Sequence, residues 1–156
     1  MILHNIPPLY SKASQTLILG SFPSVKSREA EFFYGHPQNR FWRVLAGVFS
    51  APVPETVEQK KKLVLENRLA LWDVIAECEI TGSADTSIKN VKPNDIAGII
   101  ENTAVSRIFV NGKTAEELEP LLYQMSCVGL LEYNWENPRR EKQYVLPMFV
   151  PGSAEF

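Results

Sequence analysis

Short apolar segments alternate with helical segments along the chain, and this alternation restricts the fold more than any other feature of the sequence. The apolar segments, which are predicted to be buried strands, are 16–20, 69–75, 105–110 and 143–146. The helical patterns between or beside them are 39–49, 55–68, 93–101 and 114–125. Strands that alternate with helices form a parallel sheet covered on both faces. We therefore expect an α/β fold, a three-layer α/β/α sandwich around a short, mostly parallel four-stranded sheet.

The size and composition are those of one globular domain, which we expect to span residues 1–156. The chain has 156 residues, of which 45% are hydrophobic and 22% charged. A domain of this length buries about 70% of the surface that its unfolded chain exposes, so it needs neither disulfides nor a metal to fold. Cys78 and Cys127 form no Cys-x-x-Cys pair and, with His4 and His36, give no zinc-type spacing. No metal and no cofactor are expected.

The charge balance does not by itself indicate a nucleic-acid partner. Sixteen Lys and Arg residues oppose 18 Asp and Glu, which gives a formal charge of -2. Any contact with DNA must therefore use a local basic patch or backbone amides. The N-terminus lacks the basic region and apolar run of a signal peptide, and no segment is long and apolar enough to cross a membrane. A cytoplasmic location is the default expectation, with no membrane partner.

Ligands of such sheets bind beyond the carboxyl ends of the strands, so the segments that follow the strands are the candidate site. One of them, residues 20–23, reads GSFP, and the loop at 34–42 reads YGHPQNRFW. The strand-end Gly20 permits a sharp turn or a close approach to a ligand. Phe22 could stack on a planar base, and the polar loop suits recognition of a planar polar ligand or a water. Alternatively, the polar side chains cap a helix, with Asn39 as its N-cap.

Together these segments are similar to the signature of the hypoxanthine (deoxyinosine)-DNA glycosylase family, a branch of the uracil-DNA glycosylase superfamily. LWDVI at 71–75, NVKPNDI at 90–96 and FVNGKTA at 109–115 resemble further segments of that family in the same order. The resemblance spans about residues 16–147. It implies a monofunctional, metal-free DNA repair enzyme that flips a deaminated base, hypoxanthine or uracil, out of damaged DNA and hydrolyses its glycosidic bond.

The resemblance also implies roles for individual residues. Because no carboxylate follows the first strand, the role of orienting the water passes to Asn39, and Phe22 would stack on the base. Asp73 stands where the superfamily places a base-reading residue, although it could instead cap a helix or hold a loop amide. His36 is a general acid, a residue that ties the loop together, or a contact to the DNA backbone. The substrate-binding residues that we expect are Gly20, Ser21, Phe22, Pro23, His36, Gln38, Asp73 and Asn111.

Contacts with the DNA backbone are expected at a separate set of residues around this edge. They are Arg40, Lys113, Pro147, Met148 and Phe149. The last of these positions depart from the family, whose final motif reads roughly Leu-Pro-Ser-Thr-Ser-Pro-Ala-Asn where this chain has LPMFVPGS. The apolar Met148, Phe149 and Val150 could wedge between bases, or they could equally belong to a degraded or frame-shifted tail that no longer grips DNA.

That departure leaves other functions open. One is a non-catalytic domain that binds nucleic acid or a free base, and the other is a small-molecule hydrolase on the same kind of sheet. A monomer is the expectation that the resemblance to the family implies.

Overall fold

The computed structural model of the protein describes residues 1–111, which contain two sheets and four α-helices. The strands are β1 (Ile2–Leu3), β2 (Thr16–Gly20), β3 (Leu69–Asp73), β4 (Ile75–Glu79), β5 (Lys89–Pro93) and β6 (Arg107–Val110). The helices are α1 (Val25–Ala30), α2 (Phe41–Val48), α3 (Val57–Glu66) and α4 (Ile96–Glu101). The predicted strand 143–146 and helix 114–125 lie outside the described residues.

The larger part of the fold is a parallel sheet in the order β3-β2-β6. β2 lies in the centre, and Gly20 at its end is in register with Asp73 at the end of β3. Strand β6 is in register from Arg107, opposite Thr16, to Val110, opposite Leu19. The carboxyl ends of all three strands therefore meet at one edge of the sheet. This is the arrangement expected from the strands predicted at 16–20, 69–75 and 105–110.

Successive strand residues point to opposite faces of this sheet, and each face is covered by a separate core. The core shared with α4 and the second sheet contains Leu17, Leu19, Ala70, Ile75, Cys78, Ile96, Ile108 and Val110. The core shared with α2 and α3 contains Ile18, Leu69, Leu71, Phe41, Trp42, Leu45, Leu63 and Val64. The parallel sheet is thus the middle of three layers, and the α/β prediction is confirmed.

The second sheet was not predicted. It is antiparallel, in the order β1-β4-β5. The apolar run 69–75 had been assigned to one strand, but that is wrong at its end, because β3 stops at Asp73 and β4 begins at Ile75. The N–H of Val74 donates to the carbonyl oxygen of Gly20 (2.9 Å) and that of Ile75 to Ser21 (3.2 Å). Both residues stay buried after the chain changes sheet, so the apolar pattern continues across the break.

The helices predicted at 39–49, 55–68 and 93–101 correspond to α2, α3 and α4 but differ from them at their ends. Pro93 is the last residue of β5, so its placement in the first turn of a helix was wrong. The helix α4 begins after Asp95, whose carboxylate accepts the N–H of Gly98 (3.1 Å). Asn67 is the C-cap of α3. Among residues 1–111, no helix is long and apolar enough to span a membrane.

Candidate functional site

Three strand ends bring polar side chains together above Gly20. A Cβ built on Gly20 would lie 2.5 Å from Oδ1 of Asp73 and 3.4 Å from the phenol oxygen of Tyr34. A non-bonded carbon and oxygen do not approach as closely as 2.5 Å. The Asp73 carboxylate can therefore occupy this position only because residue 20 has no side chain. Asn111, immediately after β6, donates its N–H to the carbonyl oxygen of Leu19 (2.7 Å) and so completes the edge.

The carboxylate of Asp73 is buried and held by His4, which lies 69 residues away in the sequence. Nε2 of His4 is 2.7 Å from Oδ2 of Asp73, and the two side chains are 3% and 7% exposed. Nδ1 of His4 accepts the backbone N–H of Ile6 (3.3 Å). Because Nδ1 is an acceptor, the proton of the neutral imidazole must be on Nε2, and it is donated to Asp73. The rings of Phe22 and Trp72 pack nearly perpendicular to the His4 ring and hold its plane.

Tyr34 contributes a phenol to the same cluster. Its oxygen accepts Nδ2 of Asn111 (3.1 Å), and its ring stacks on Phe41 with the centroids 3.8 Å apart. Burial, reinforced by the negative charge of Asp73, raises the pKa of Tyr34 far above its ordinary value, so the phenol keeps its proton. Asn111 is 6% exposed, and its Oδ1 has no hydrogen-bond partner among the described residues.

Tyr34 is also held in an unusual backbone conformation. Its φ is +52°, in the left-handed region that aromatic residues avoid. The next residue, Gly35, donates its N–H to Oγ of the buried Ser27 (2.9 Å), which holds the loop in this shape. A strained residue that the surrounding structure holds in place is a frequent feature of functional sites.

The polar loop 36–40 stands next to this cluster and begins α2. Oδ1 of Asn39 accepts the N–H of Phe41 (2.8 Å), although the N-cap position itself belongs to Arg40. Asn39 is half-buried, whereas His36 and Gln38 are exposed. Nδ1 of His36 accepts the N–H of Gln38 (3.1 Å), so His36 ties the loop together. The expectation that Asn39 is the N-cap is therefore wrong by one residue, although its oxygen binds the first N–H of α2; its Nδ2 makes none of these contacts.

The segment after β2 is packed more tightly than expected for a ligand-binding surface. Phe22 is 7% exposed, and the guanidinium of Arg28 lies over its ring at 5.5 Å. Ser21 is buried and donates its hydroxyl to Asp85 (3.3 Å), and Pro23 is buried as well. The structure therefore places Phe22 beside His4, at the base of the cluster, with one face covered by Arg28.

Of the residues expected to contact the DNA backbone, only Arg40 is within the described residues, where it is exposed. Lys113, Pro147, Met148 and Phe149 lie outside them. No group of three or more His, Cys, Asp or Glu side chains among residues 1–111 is arranged to bind a metal ion.

Three residues that matter to this site were not assigned to it from the sequence. They are His4, Tyr34 and Asn94. Nδ2 of Asn94 donates to the carbonyl oxygens of Asp73 (2.9 Å) and Ile75 (3.1 Å), so it fixes the corner at which β3 leaves the sheet. Tyr34 and Asn94 were within segments similar to the glycosylase family, which was the available signal. Nothing near His4 in the sequence marks it.

Comparison with known proteins gives relatives along most of the chain. It is 35% identical over 127 residues to a hypoxanthine DNA glycosylase of Methanosarcina acetivorans, a match that covers 80% of each protein. A hypoxanthine DNA glycosylase of Methanosarcina barkeri is 34% identical over 76% of this chain and 77% of the relative. No family model matches the chain.

A solved structure is similar as well. It is a solution NMR structure from Methanosarcina acetivorans that carries the provisional name uracil DNA glycosylase. It superposes with a TM-score of 0.70 at 31% identity, over 92% of this chain and 94% of the other.

Proposed function

The chain belongs to the hypoxanthine DNA glycosylase family, and on that premise we propose that it removes hypoxanthine from damaged DNA. The reaction takes place at the strand-end cluster, which is formed by His4, Tyr34, Asp73 and Asn111 above Gly20. It is a DNA glycosylase, a hydrolase of N-glycosidic bonds, with the fold of the uracil-DNA glycosylases. The observation that carries the site is the convergence of Gly20, Asp73 and Asn111, which end or directly follow the three strands of the parallel sheet.

In this proposal the target nucleotide rotates out of the duplex and its base enters the edge of the sheet. The carboxylate of Asp73 is an acceptor only, so it binds a base through an N–H group. Hypoxanthine and uracil each carry a ring N–H that adenine and cytosine lack at the same position. Holding Asp73 ionised in a buried place requires a donor, and His4 supplies it from Nε2.

Asn39 orients the attacking water. The glycosidic bond breaks through an oxocarbenium-like transition state, which needs a positioned water more than a strong base. The contact of Oδ1 with the N–H of Phe41 fixes the amide plane and still leaves one lone pair on the oxygen. Among residues 1–111 the amide nitrogen makes no hydrogen bond, and it would stabilise the water or a substrate oxygen. The loop bond between His36 and Gln38 keeps this asparagine in position.

We also propose which residues contact the DNA and in what state the enzyme acts. The exposed Arg40, beside Asn39, would contact a phosphate, together with Lys113 and the segment that includes Pro147, Met148 and Phe149. Phe22 and the loop residues His36 and Gln38 would line the base pocket, with Ser21 and Pro23 supporting it. The enzyme would act as a monomer in the cytoplasm, within base excision repair, and would need no cofactor.

The test is base release from a duplex with one deoxyinosine, with a uracil duplex alongside. We expect free hypoxanthine and an abasic site from the wild type. The rate of base release by Asn39→Ala should be lower by a factor of about 100 or more. Asn39→Asp retains an oxygen for the N–H of Phe41 and should keep more activity than Asn39→Ala. The exposed Asn102→Ala is the matched control. Folded wild type that binds the duplex but releases neither base would support the non-catalytic alternative instead.

A further inference from the structure

We propose that Asp73 and Tyr34 act as an acceptor–donor pair that reads the lactam group of a deaminated base, the ring N–H beside its carbonyl oxygen. The proposal rests on the proposed function, because it assumes that the base binds at the strand-end cluster. It adds Tyr34 as a residue that determines specificity, and His4 and Asn111 as residues that position the pair.

The acceptor is Oδ1 of Asp73. The other carboxylate oxygen, Oδ2, already accepts Nε2–H of His4 at 2.7 Å. Within residues 1–111 no group donates to Oδ1, which lies over Gly20. His4 cannot change roles, because the N–H of Ile6 points at its Nδ1. The pairing with His4 therefore fixes Oδ1 as the carboxylate oxygen that remains available to a ligand among the described residues, and it keeps that oxygen an acceptor.

The donor is the hydroxyl of Tyr34. Its oxygen accepts Nδ2 of Asn111 at 3.1 Å, so the phenol hydrogen must point away from Asn111. Among the described residues, the phenol has no acceptor for that hydrogen. Stacking on Phe41 holds the ring, and the left-handed backbone at Tyr34 sets its direction. The hydroxyl is thus a donor that has been oriented in advance.

The two atoms approach the same point above Gly20. Oδ1 of Asp73 and the Tyr34 oxygen both lie within 3.4 Å of the point where a side chain on Gly20 would begin. An acceptor and a donor side by side complement a group that has its own donor and acceptor side by side. Hypoxanthine presents N1–H and O6 in this order, and uracil presents N3–H and O4.

The parent bases present the reverse pattern. Adenine has a lone pair at N1 and an amino group at C6, and cytosine has a lone pair at N3 and an amino group at C4. If adenine or cytosine bound here, its ring lone pair would face the Asp73 carboxylate, or a buried polar group would stay unpaired. Such a mismatch is the strongest basis for rejecting a base of nearly the same shape. The pair therefore separates each deaminated base from the base that gave rise to it.

Binding to duplexes that cannot be cleaved tests the pair without relying on catalysis. Each duplex carries one 2′-fluoroarabino nucleotide, whose base is either hypoxanthine or unsubstituted purine, which lacks both N1–H and O6. The ratio of the two dissociation constants measures lactam recognition. Base release from a deoxyinosine duplex by the same wild-type preparation tests the proposed function separately.

We expect the wild type to prefer hypoxanthine, and Tyr34→Phe to reduce the ratio about tenfold while its affinity for the purine duplex stays the same. Asn111→Asp should have the same effect, because a carboxylate draws the phenol hydrogen away from the base. His4→Phe keeps the ring packing and loses the donor to Asp73, so it should also reduce the ratio. His4→Gln restores a donor and should recover the ratio. Tyr10→Phe, at an exposed tyrosine, is the matched control.

A merely structural Tyr34 would give a different result. In that case Tyr34→Phe would weaken both duplexes equally or leave the ratio unchanged, and the proposal would be overturned. A wild type without preference between the two bases would overturn it as well. A normal ratio together with no base release would leave the lactam pair standing and contradict the proposed activity.

Discussion

At the scale of single residues, the site depends on a buried carboxylate that has one strong donor. Asp73 is 5% exposed, and an ionised group so placed is stable only when it is hydrogen-bonded. The neutral imidazole of His4 meets that need without cancelling the charge. The absence of a side chain at Gly20 gives the carboxylate its space. Each of these three residues is therefore required for a different physical reason.

Substitution of the glycine tests this arrangement. Gly20→Ala places a methyl group 2.5 Å from Oδ1 of Asp73, so the carboxylate must move away from the cluster. We expect base release to slow by about tenfold or more, the effect of losing one hydrogen bond to a charged group.

Gly47→Ala is the matched control, because a Cβ there meets nothing within 4 Å in the helix α2. It should leave the rate unchanged and stabilise the protein by about 0.5–1 kcal/mol. Unimpaired turnover by folded Gly20→Ala would show that the position of the Asp73 carboxylate is not critical.

The sequence could predict half of this cluster. Gly20, Asp73 and Asn111 follow predicted strands, and strand ends of a parallel sheet meet, so their proximity followed from the pattern alone. His4 could not be found in that way, because its partner is 69 residues distant and its own surroundings show no motif. Tyr34 belongs to the loop that resembled the family, but its direction depends on a left-handed backbone that sequence does not reveal.

At the scale of elements, the corner between β3 and β4 positions the site. The chain leaves the parallel sheet directly after Asp73, and Asn94 holds the two sides of the corner through the carbonyl oxygens of Asp73 and Ile75. The N–H of Asn94 also donates to the carbonyl oxygen of Val74 (2.8 Å). The buried side chain of Asn94 thus donates hydrogen bonds to the two carbonyl oxygens of this corner, which would otherwise lack these partners.

Removal of that side chain should destabilise the whole protein. Asn94→Ala leaves two buried carbonyl groups without their donor, and we expect the free energy of unfolding to fall by about 2 kcal/mol. Urea denaturation followed by circular dichroism measures the change. Asn102→Ala removes a similar bond, from Nδ2 to the carbonyl oxygen of Gly98, but at an exposed position. It should cost about 0.5 kcal/mol or less. Equal effects of the two substitutions would contradict the role assigned to Asn94.

The elements were predicted unequally well, for a physical reason. Strand β2 was predicted with its true ends, because it is central and buried on both faces and Gly20 ends it. The strand 69–75 was extended too far, since burial continues through Val74 and Ile75 while the hydrogen bonding passes to another sheet. Pro93 was assigned to a helix start, although it lies opposite Ile75 at the end of β5. Apolar periodicity reports burial, and it does not report which sheet a strand joins.

At the scale of the whole molecule, the N-terminal segment joins the site to both sheets. β1 pairs with β4, His4 holds Asp73, and Leu9 exchanges two backbone hydrogen bonds with Leu71 at the edge of β3. Two cores on opposite faces of the parallel sheet make its carboxyl edge a rigid platform. Rigid support is what a base-reading site needs, because its hydrogen-bond donors and acceptors must be in place before the base enters.

The most direct test of the strand-end active site is the single-turnover rate of hypoxanthine release by wild type, Asp73→Asn and Asp95→Asn. In Asp73→Asn the amide oxygen would accept from His4, so an NH₂ group would face the base N–H. We predict release by the wild type, an equal rate in Asp95→Asn, where asparagine still caps α4, and a rate about 10–100-fold lower in Asp73→Asn. Equal rates in all three folded proteins, or no release by the wild type, would contradict the assignment of this cluster as the active site.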